Sequence, residues 1–275
     1  MSLKDLLRLL CPPVVWNALV RIYSPGIVYK GNFATWHEAS NASTGYGSDE
    51  ILGRVISATD RVLAGEAAFE RDGVTFSRIE YPYHLIAPML SAALKADSRL
   101  SVLDFGGSLG STYRQCRPML SAVSSISWNV IEQNIFVSAG RARYQNDELA
   151  FYFGIDEIEG QRRPNVLLFA SVLQYLPDPS GILKKATEGT DVSYLMIDRT
   201  PFWHGHDDRV LVQEVPRSIY SASYPMWVFS YSRLLAELAN DWLLVDDKLS
   251  PEGVVRSKEG FAFEYHNLVF RKRTC

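Results

Sequence analysis

The chain has only three cysteines among its 275 residues, Cys11, Cys116 and Cys275, and no two of them form a C-x-x-C pair. That excludes a disulfide framework and a thiolate zinc site, and it fits a reducing cytoplasm. No apolar run reaches the ~18 residues that a membrane-spanning helix needs. A basic excess is missing too: 28 Lys and Arg stand against 31 Asp and Glu, for a net charge of -3. Without a positive field, nucleic acid is not an expected partner, and Arg271-Lys272-Arg273 reads as a solvated tail. There is no internal repeat and no low-complexity segment. What the chain does have is 47% hydrophobic content, enough to bury a full core.

At the N-terminus, Leu3, Leu6, Leu7 and Leu10 share a helical face, with Lys4, Asp5 and Arg8 largely off it. The stretch lacks the continuous apolar core and small-residue cleavage site of a signal peptide. It is expected to pack on the body of the protein, with peripheral contact at the inner face of a membrane as the alternative. Ile27 to Gly47, rich in Gly, Asn, Ser and aromatics, reads as an ordered loop. Helical spacing predicts a helix over Ser48–Phe69 and a second after Pro82, carrying Leu85, Ile86, Met89, Leu90, Ala93 and Leu94. The period changes at Asp97-Ser98. The expected division is therefore a helical cap over residues 1–98, helping to define a substrate pocket, and a second domain over 99–275.

From Leu100 onward, apolar runs alternate with helical segments. The runs are Leu100–Phe105, Trp128–Ile131, Ala150–Phe153, Val166–Ala170 and Tyr194–Ile197, with helices over Ser111–Leu120, Gln133–Arg143 and Ser180–Glu188. Such alternation predicts an α/β fold, a doubly wound and mostly parallel sheet covered by helices. Pro118 should kink or end the first helix. After a helix over Ser232–Ala239, the late strands Trp242–Asp246 and Tyr265–Arg271 have no helix between them, so they should pair antiparallel. The sum is seven strands.

Three segments carry chemistry. In the first, Leu103-Asp104 runs into Gly106, Gly107 and Gly110, which permit a tight turn and close backbone approach to a ligand carboxylate. An acid at the strand end is awkward for a pyrophosphate but suits a ligand ammonium group. In the second, Glu132 closes the next strand, placed to accept hydrogen bonds from both hydroxyls of a ribose. The third runs from Leu167 through Ala170-Ser171 to Pro177-Asp178, where small residues end a strand and leave room in the crevice above the sheet.

Leu103-Asp104-x-Gly106-x-x-x-Gly110, Glu132 and Ala170-Ser171-Val172-Leu173-x-x-Leu176-x-Asp178 resemble the cofactor motifs of class I S-adenosylmethionine-dependent methyltransferases. The resemblance implies that fold, that cofactor, and cofactor-binding roles for Asp104, Gly106, Gly107, Gly110, Glu132 and Ser171. It departs at Ser108, where the usual pattern has another glycine. Gly31-x-Phe33-x-x-Trp36, Gly45-Tyr46, Asp198-Arg199-Thr200-Pro201-Phe202, Gln213-x-Val215-Pro216 and Ile219-Tyr220-x-Ala222-x-Tyr224-Pro225 are similar to a family of bacterial methyltransferases. That family is associated with surface-polysaccharide and lipopolysaccharide biosynthesis. The implied substrate is a small-molecule or lipid-linked saccharide, methylated on oxygen.

The polar stretch Asp198–Asp208 follows the fifth strand, where a substrate should approach. His206 or His204 is the expected base, with Asp207 or Asp208 as its orienting partner. The same His-x-His-Asp-Asp run also has a metal-binding reading and a plain surface-loop reading. His37, His84 and His266 stand apart in the sequence and are expected to be structural. Two alternatives compete: a nicotinamide-dependent oxidoreductase on a related sheet, disfavoured because G-x-G-x-x-G spacing is absent, and a catalytically inactive methyltransferase-fold partner protein. No feature specifies an oligomeric state.

Overall fold

The apolar run after Asp97-Ser98 forms the central strand of a parallel sheet, and the chain is broken from the preceding helix by left-handed backbone at both residues (φ 50° and 62°). The computed structural model describes residues 26–45, 48–159, 162–188, 192–216 and 222–273. The N-terminal amphipathic stretch, Cys11, Tyr46, Ile219, Tyr220 and Cys275 lie outside the described residues. Contacts group the chain into two units. The smaller takes in residues 1–47, 210–226 and 256–261, and the larger takes in 48–209, 227–255 and 262–275.

In the smaller unit, residues read as an ordered loop form strand β1 (Val28–Phe33) and helix α1 (Trp36–Asn41). The helix had a legible start. Thr35 accepts from the Glu38 N–H at 3.2 Å while Glu38 Oε2 accepts from the Ala34 N–H at 3.0 Å, a variant of the reciprocal cap that T-x-x-E supports. Strand β1 pairs antiparallel with Arg209–Val215, which becomes β9 in chain order, with Val28 opposite Glu214.

The larger unit opens with α2 (Ser48–Leu63), which buries Ile51, Val55 and Ala58 and ends well short of the expected Phe69. Residues after it turn instead into a hairpin, β2 (Phe69–Arg71) and β3 (Val74–Phe76), joined by Asp72-Gly73. Both turn residues have positive φ (52° and 75°), the geometry a two-residue hairpin turn of the primed type requires. Helix α3 (Tyr83–Lys95) then buries Leu85, Ile86, Met89, Ala92 and Ala93.

The sheet of this unit is built from β4 (Arg99–Phe105), β5 (Ser125–Ile131), β6 (Leu149–Tyr152), β7 (Val166–Ala170) and β8 (Tyr194–Trp203). Helices α4 (Ser111–Cys116), α5 (Asn134–Arg143) and α6 (Pro179–Thr187) connect them in part. Pro118 acts as expected: α4 gives way to a 3-10 turn over Arg117–Leu120. In space the parallel strands run β6-β5-β4-β7-β8. Strand β12 (Ala262–Lys272) lies antiparallel against β8, and β11 (Trp242–Arg256) pairs with β12. The end of β10 (Ala222–Ser230) also meets β8, Phe229 opposite Phe202. Helix α7 (Tyr231–Leu238) precedes β11.

Written by position along the sequence, the seven strands follow the order 3-2-1-4-5-7-6, which is the sheet of the class I methyltransferase fold. Leu103, Leu167, Phe169, Leu195, Ile197 and Phe270, each no more than 1% exposed, form part of its core. Two expectations need correction. Strand β8 continues to Trp203, so Asp198–Trp203 is not loop: β12 pairs with it, Thr200 opposite His266. Strands β9 and β10 were not foreseen, because their apolar residues are interrupted by polar ones that pair within the fold, such as Gln213 to the Tyr224 hydroxyl at 3.2 Å.

Candidate cofactor and substrate site

The chain leaves β4 at Asp104 and reverses over Gly106–Gly110. Gly106, Ser108 and Gly110 all have positive φ (72°, 54° and 89°). Gly106 N–H donates to Ile131 O at 2.8 Å, which ties the turn to the end of β5. A Cβ on Gly106 would fall 2.4 Å from Val172 Cγ2, and one on Gly107 would fall 2.5 Å from the Asp104 carboxyl carbon. Gly107 is thus small because Asp104 lies directly beneath it, not because of its backbone angle. Ser108 holds a left-handed conformation that costs a non-glycine residue about 1 kcal/mol. That is the physical content of its departure from the usual glycine.

Asp104 is fully buried. Its Oδ2 accepts from Trp128 Nε1 at 2.9 Å, and its Oδ1 has no partner. Burial pushes its pKa up to about 7; the Trp128 hydrogen bond works against this, and the Glu132 charge adds to it. Glu132 is half-buried at the end of β5. Its Oε1 accepts from the Ser108 N–H at 3.3 Å and its Oε2 from the Gln133 N–H at 2.7 Å. Burial raises its pKa against those two bonds. Ser171, beyond β7, is left-handed (φ 56°) and donates its N–H to Asp198 O at 2.8 Å, joining the ends of β7 and β8. Asp178, by contrast, caps α6 by accepting from the Gly181 N–H at 2.9 Å. The structure therefore brings Asp104, the glycine turn, Glu132 and Ser171 together at the carboxyl ends of adjacent strands, where ligands bind in open α/β sheets.

A cavity of about 340 Å³ opens there, and Gly106, Gly107, Ser108, Ala170, Asp198 and Arg199 line it. Other walls come from residues the sequence did not single out: Glu70 and Arg71 on the β2–β3 hairpin, His84 on α3, Gln115 on α4 and Asn267 on β12. His84, which stands apart from the other histidines in the sequence, is paired in the fold. Its Nε2 lies 2.7 Å from Asp198 Oδ1, and Arg199 Nε donates to the other oxygen at 3.1 Å. Burial alone would raise the Asp198 pKa, but the His84 hydrogen bond and the Arg199 charge outweigh it and hold the carboxyl below its ordinary value. Arg199 is itself fixed in left-handed backbone (φ 48°), its N–H on Asn267 Oδ1 at 3.0 Å. No linear motif could have shown this pairing, because His84 and Asp198 are 114 positions apart.

His204, His206 and Asp207 are exposed and do not line this cavity. His204 lies 4.0 Å from Glu264 and against the Tyr231 ring, and the Asp207 carbonyl accepts from Trp203 Nε1 at 2.8 Å. Asp208 Oδ1 accepts from the Ser230 N–H at 2.7 Å. His266 is held between Asp247 (2.6 Å) and Glu264 (3.2 Å). Among the described residues no group of three or more His, Cys, Asp or Glu is placed to hold a metal ion, and no helix is long and apolar enough to cross a membrane.

No family model matches the sequence, and no curated protein matches it. Among solved structures, the chain is similar to the N-terminal domain of EvdMO1 in the presence of SAH and D-fucose, at 16% identity and a TM-score of 0.48, over 83% of this chain and 98% of that one. It is similar to magnesium protoporphyrin IX methyltransferase (ChlM) from Synechocystis PCC 6803 with bound SAM, at 11% identity and 0.41, over 68% and 77%. It is also similar to a SAM-dependent methyltransferase from Methanosarcina mazei, at 11% identity and 0.44, over 71% and 99%.

Proposed function

We propose that this chain is an S-adenosylmethionine-dependent methyltransferase acting on a hydroxyl of a sugar or sugar-linked intermediate of bacterial surface-polysaccharide biosynthesis. One observation carries the cofactor assignment. On the class I strand order, a buried carboxylate with an unpartnered oxygen, Asp104, lies under the glycine turn, and a second acid, Glu132, closes the neighbouring strand. A buried acceptor without a donor is costly, and a ligand ammonium group supplies one. Glu132 retains lone pairs for a ribose diol, since each carboxylate oxygen accepts more than one bond. The saccharide assignment is supported by the resemblance of residues 31–46 and 198–225 to polysaccharide-associated methyltransferases. The N-terminal amphipathic pattern would allow contact with the inner face of a membrane.

When bound, S-adenosylmethionine supplies an electrophilic methyl group, and the chain's own residues position the acceptor and handle its proton. His84 is the base in this reading. An ionised Asp198 accepts from Nε2–H, which leaves Nδ1 as the basic nitrogen. Asp198 then stabilises the imidazolium that forms, and Arg199 keeps Asp198 charged. Isothermal titration with S-adenosylmethionine, its demethylated product and NAD tests the assignment. Micromolar binding of the first two without NAD is the expected result. NAD binding alone would install the oxidoreductase, and binding of none would leave a partner protein.

A further inference from the structure

Arg71 pairs with Val74 through the backbone of the hairpin, but its side chain, which lines the cavity, forms no hydrogen bond or ion pair with any described residue. It is not loosely placed. Its neighbour Glu70 is 4% exposed and anchors the hairpin, accepting from the Ser111 hydroxyl and from the Gly73 N–H at 3.2 Å. The Arg71 guanidinium carbon sits 5.8 Å from the Phe69 ring centroid, and Phe69 stacks on Phe76 at 4.5 Å. A tight Asp72-Gly73 turn and an aromatic stack thus fix a half-buried guanidinium on the cavity wall.

The other basic side chains there, and Asp198, already have partners. Arg199 is bonded to Asp198 and lies 4.0 Å from Asp72; Asp198 is shared between His84 and Arg199; Lys248 pairs with Asp246 at 3.1 Å. Arg71 therefore stands near a second guanidinium with no carboxylate of the described residues at ion-pair distance. Burial, first, and the charge of Arg199 work against it as a cation, and the more distant charges of Asp72, Glu252 and Asp198 offset them only in part. An oxyanion in the cavity would relieve both, and the planar fork of arginine matches a carboxylate or phosphate through two parallel hydrogen bonds.

We propose that Arg71 is an oxyanion-binding residue, taking a carboxylate or phosphate of a ligand bound in this cavity. Two sources have that chemistry. One is the amino-acid carboxylate of the cofactor, which rests on the methyltransferase reading. The other is an anionic group on the acceptor, such as a sugar phosphate, which does not depend on the cofactor. Asp72, Glu80 and Glu70 also face the cavity, so the subsite is selective: it admits an anion at Arg71 and opposes a highly charged one elsewhere.

The test compares the full chain with Arg71→Gln and Arg71→Lys, each checked for an unchanged melting temperature. Three probes are titrated: S-adenosylhomocysteine, 5′-methylthioadenosine (the same nucleoside without the amino-acid group), and inorganic pyrophosphate. A loss of about tenfold or more for S-adenosylhomocysteine in Arg71→Gln, with 5′-methylthioadenosine unaffected, assigns the subsite to the cofactor carboxylate. Unchanged S-adenosylhomocysteine binding with loss of pyrophosphate binding assigns it to the acceptor. Arg71→Lys should recover only part of either loss, because it keeps the charge without the fork. If no probe distinguishes Arg71→Gln from the parent, the proposal is overturned. Should the parent bind pyrophosphate but neither nucleoside, the cofactor reading fails while Arg71 is still decided by the pyrophosphate comparison.

Discussion

Trp128 donates to Asp104 at 2.9 Å between adjacent strands β5 and β4, with both side chains wholly buried and the second Asp104 oxygen left without a partner. The carboxyl is consequently held protonated up to about pH 7, against an ordinary value of 3.8, burial being the main cause. The folded state binds a proton that the unfolded state releases. Its stabilising contribution is full below about pH 3.8 and declines as pH rises through about 7. Relative to Asp104→Asn, the parent should lose about 2–3 kcal/mol between pH 5 and pH 8. Urea unfolding of the ligand-free pair at both pH values measures it. A difference that does not change with pH would place the titration elsewhere.

The glycines of the turn should fail for different reasons. Gly107→Ala forces a methyl group against an immovable Asp104 and should cost about 1–3 kcal/mol. Gly106→Val meets Val172 and adds a β-branched side chain at φ 72°, so it should cost more and abolish cofactor binding. Gly53→Ala is the control: exposed in α2 with nothing within 4 Å, it should stabilise by about 0.5–1 kcal/mol. Thermal melts and titration with S-adenosylhomocysteine separate the three; normal binding by Gly106→Val would make the turn purely structural.

Glu132→Ala removes the acceptor at the end of β5 and frees the Ser108 N–H. It should weaken S-adenosylhomocysteine binding by about 1–3 kcal/mol, roughly 5–150-fold. Adenine, which lacks the ribose, should bind the variant and the parent equally. Unchanged affinity for S-adenosylhomocysteine would remove the ribose assignment.

His84→Gln should lower methyl transfer by about 100-fold or more while leaving cofactor affinity intact. Asp198→Asn should lower turnover as well, because Nε2 loses its ionised partner. The assay is transfer of labelled methyl from S-adenosylmethionine to nucleotide sugars and lipid-linked saccharides. His204→Gln and His206→Gln belong in the same series. Loss of turnover in either of them, with full activity in His84→Gln, would move the base to the exposed turn after β8.

What the sequence by itself determined is local and periodic. Apolar runs of strand length alternating with helical spacing set the parallel sheet, the absence of a helix between the last two strands set their antiparallel pairing, and glycines beside an acid marked the turn. These signals work because strand burial and left-handed turns constrain residues close together in the chain. The boundaries were less legible where tertiary contacts decide them: β8 runs past Asp198 because β12 is there to pair with it, and the segment after Leu63 becomes a hairpin because Asp72-Gly73 can turn left-handed. Only the tertiary structure placed His84 on Asp198, Arg71 beside Arg199 and Asp104 under Gly107. Each depends on which strand ends the fold makes neighbours and on how much water it leaves between them. Burial and proximity across the sheet, which set those pKa shifts and pairings, have no counterpart in sequence spacing.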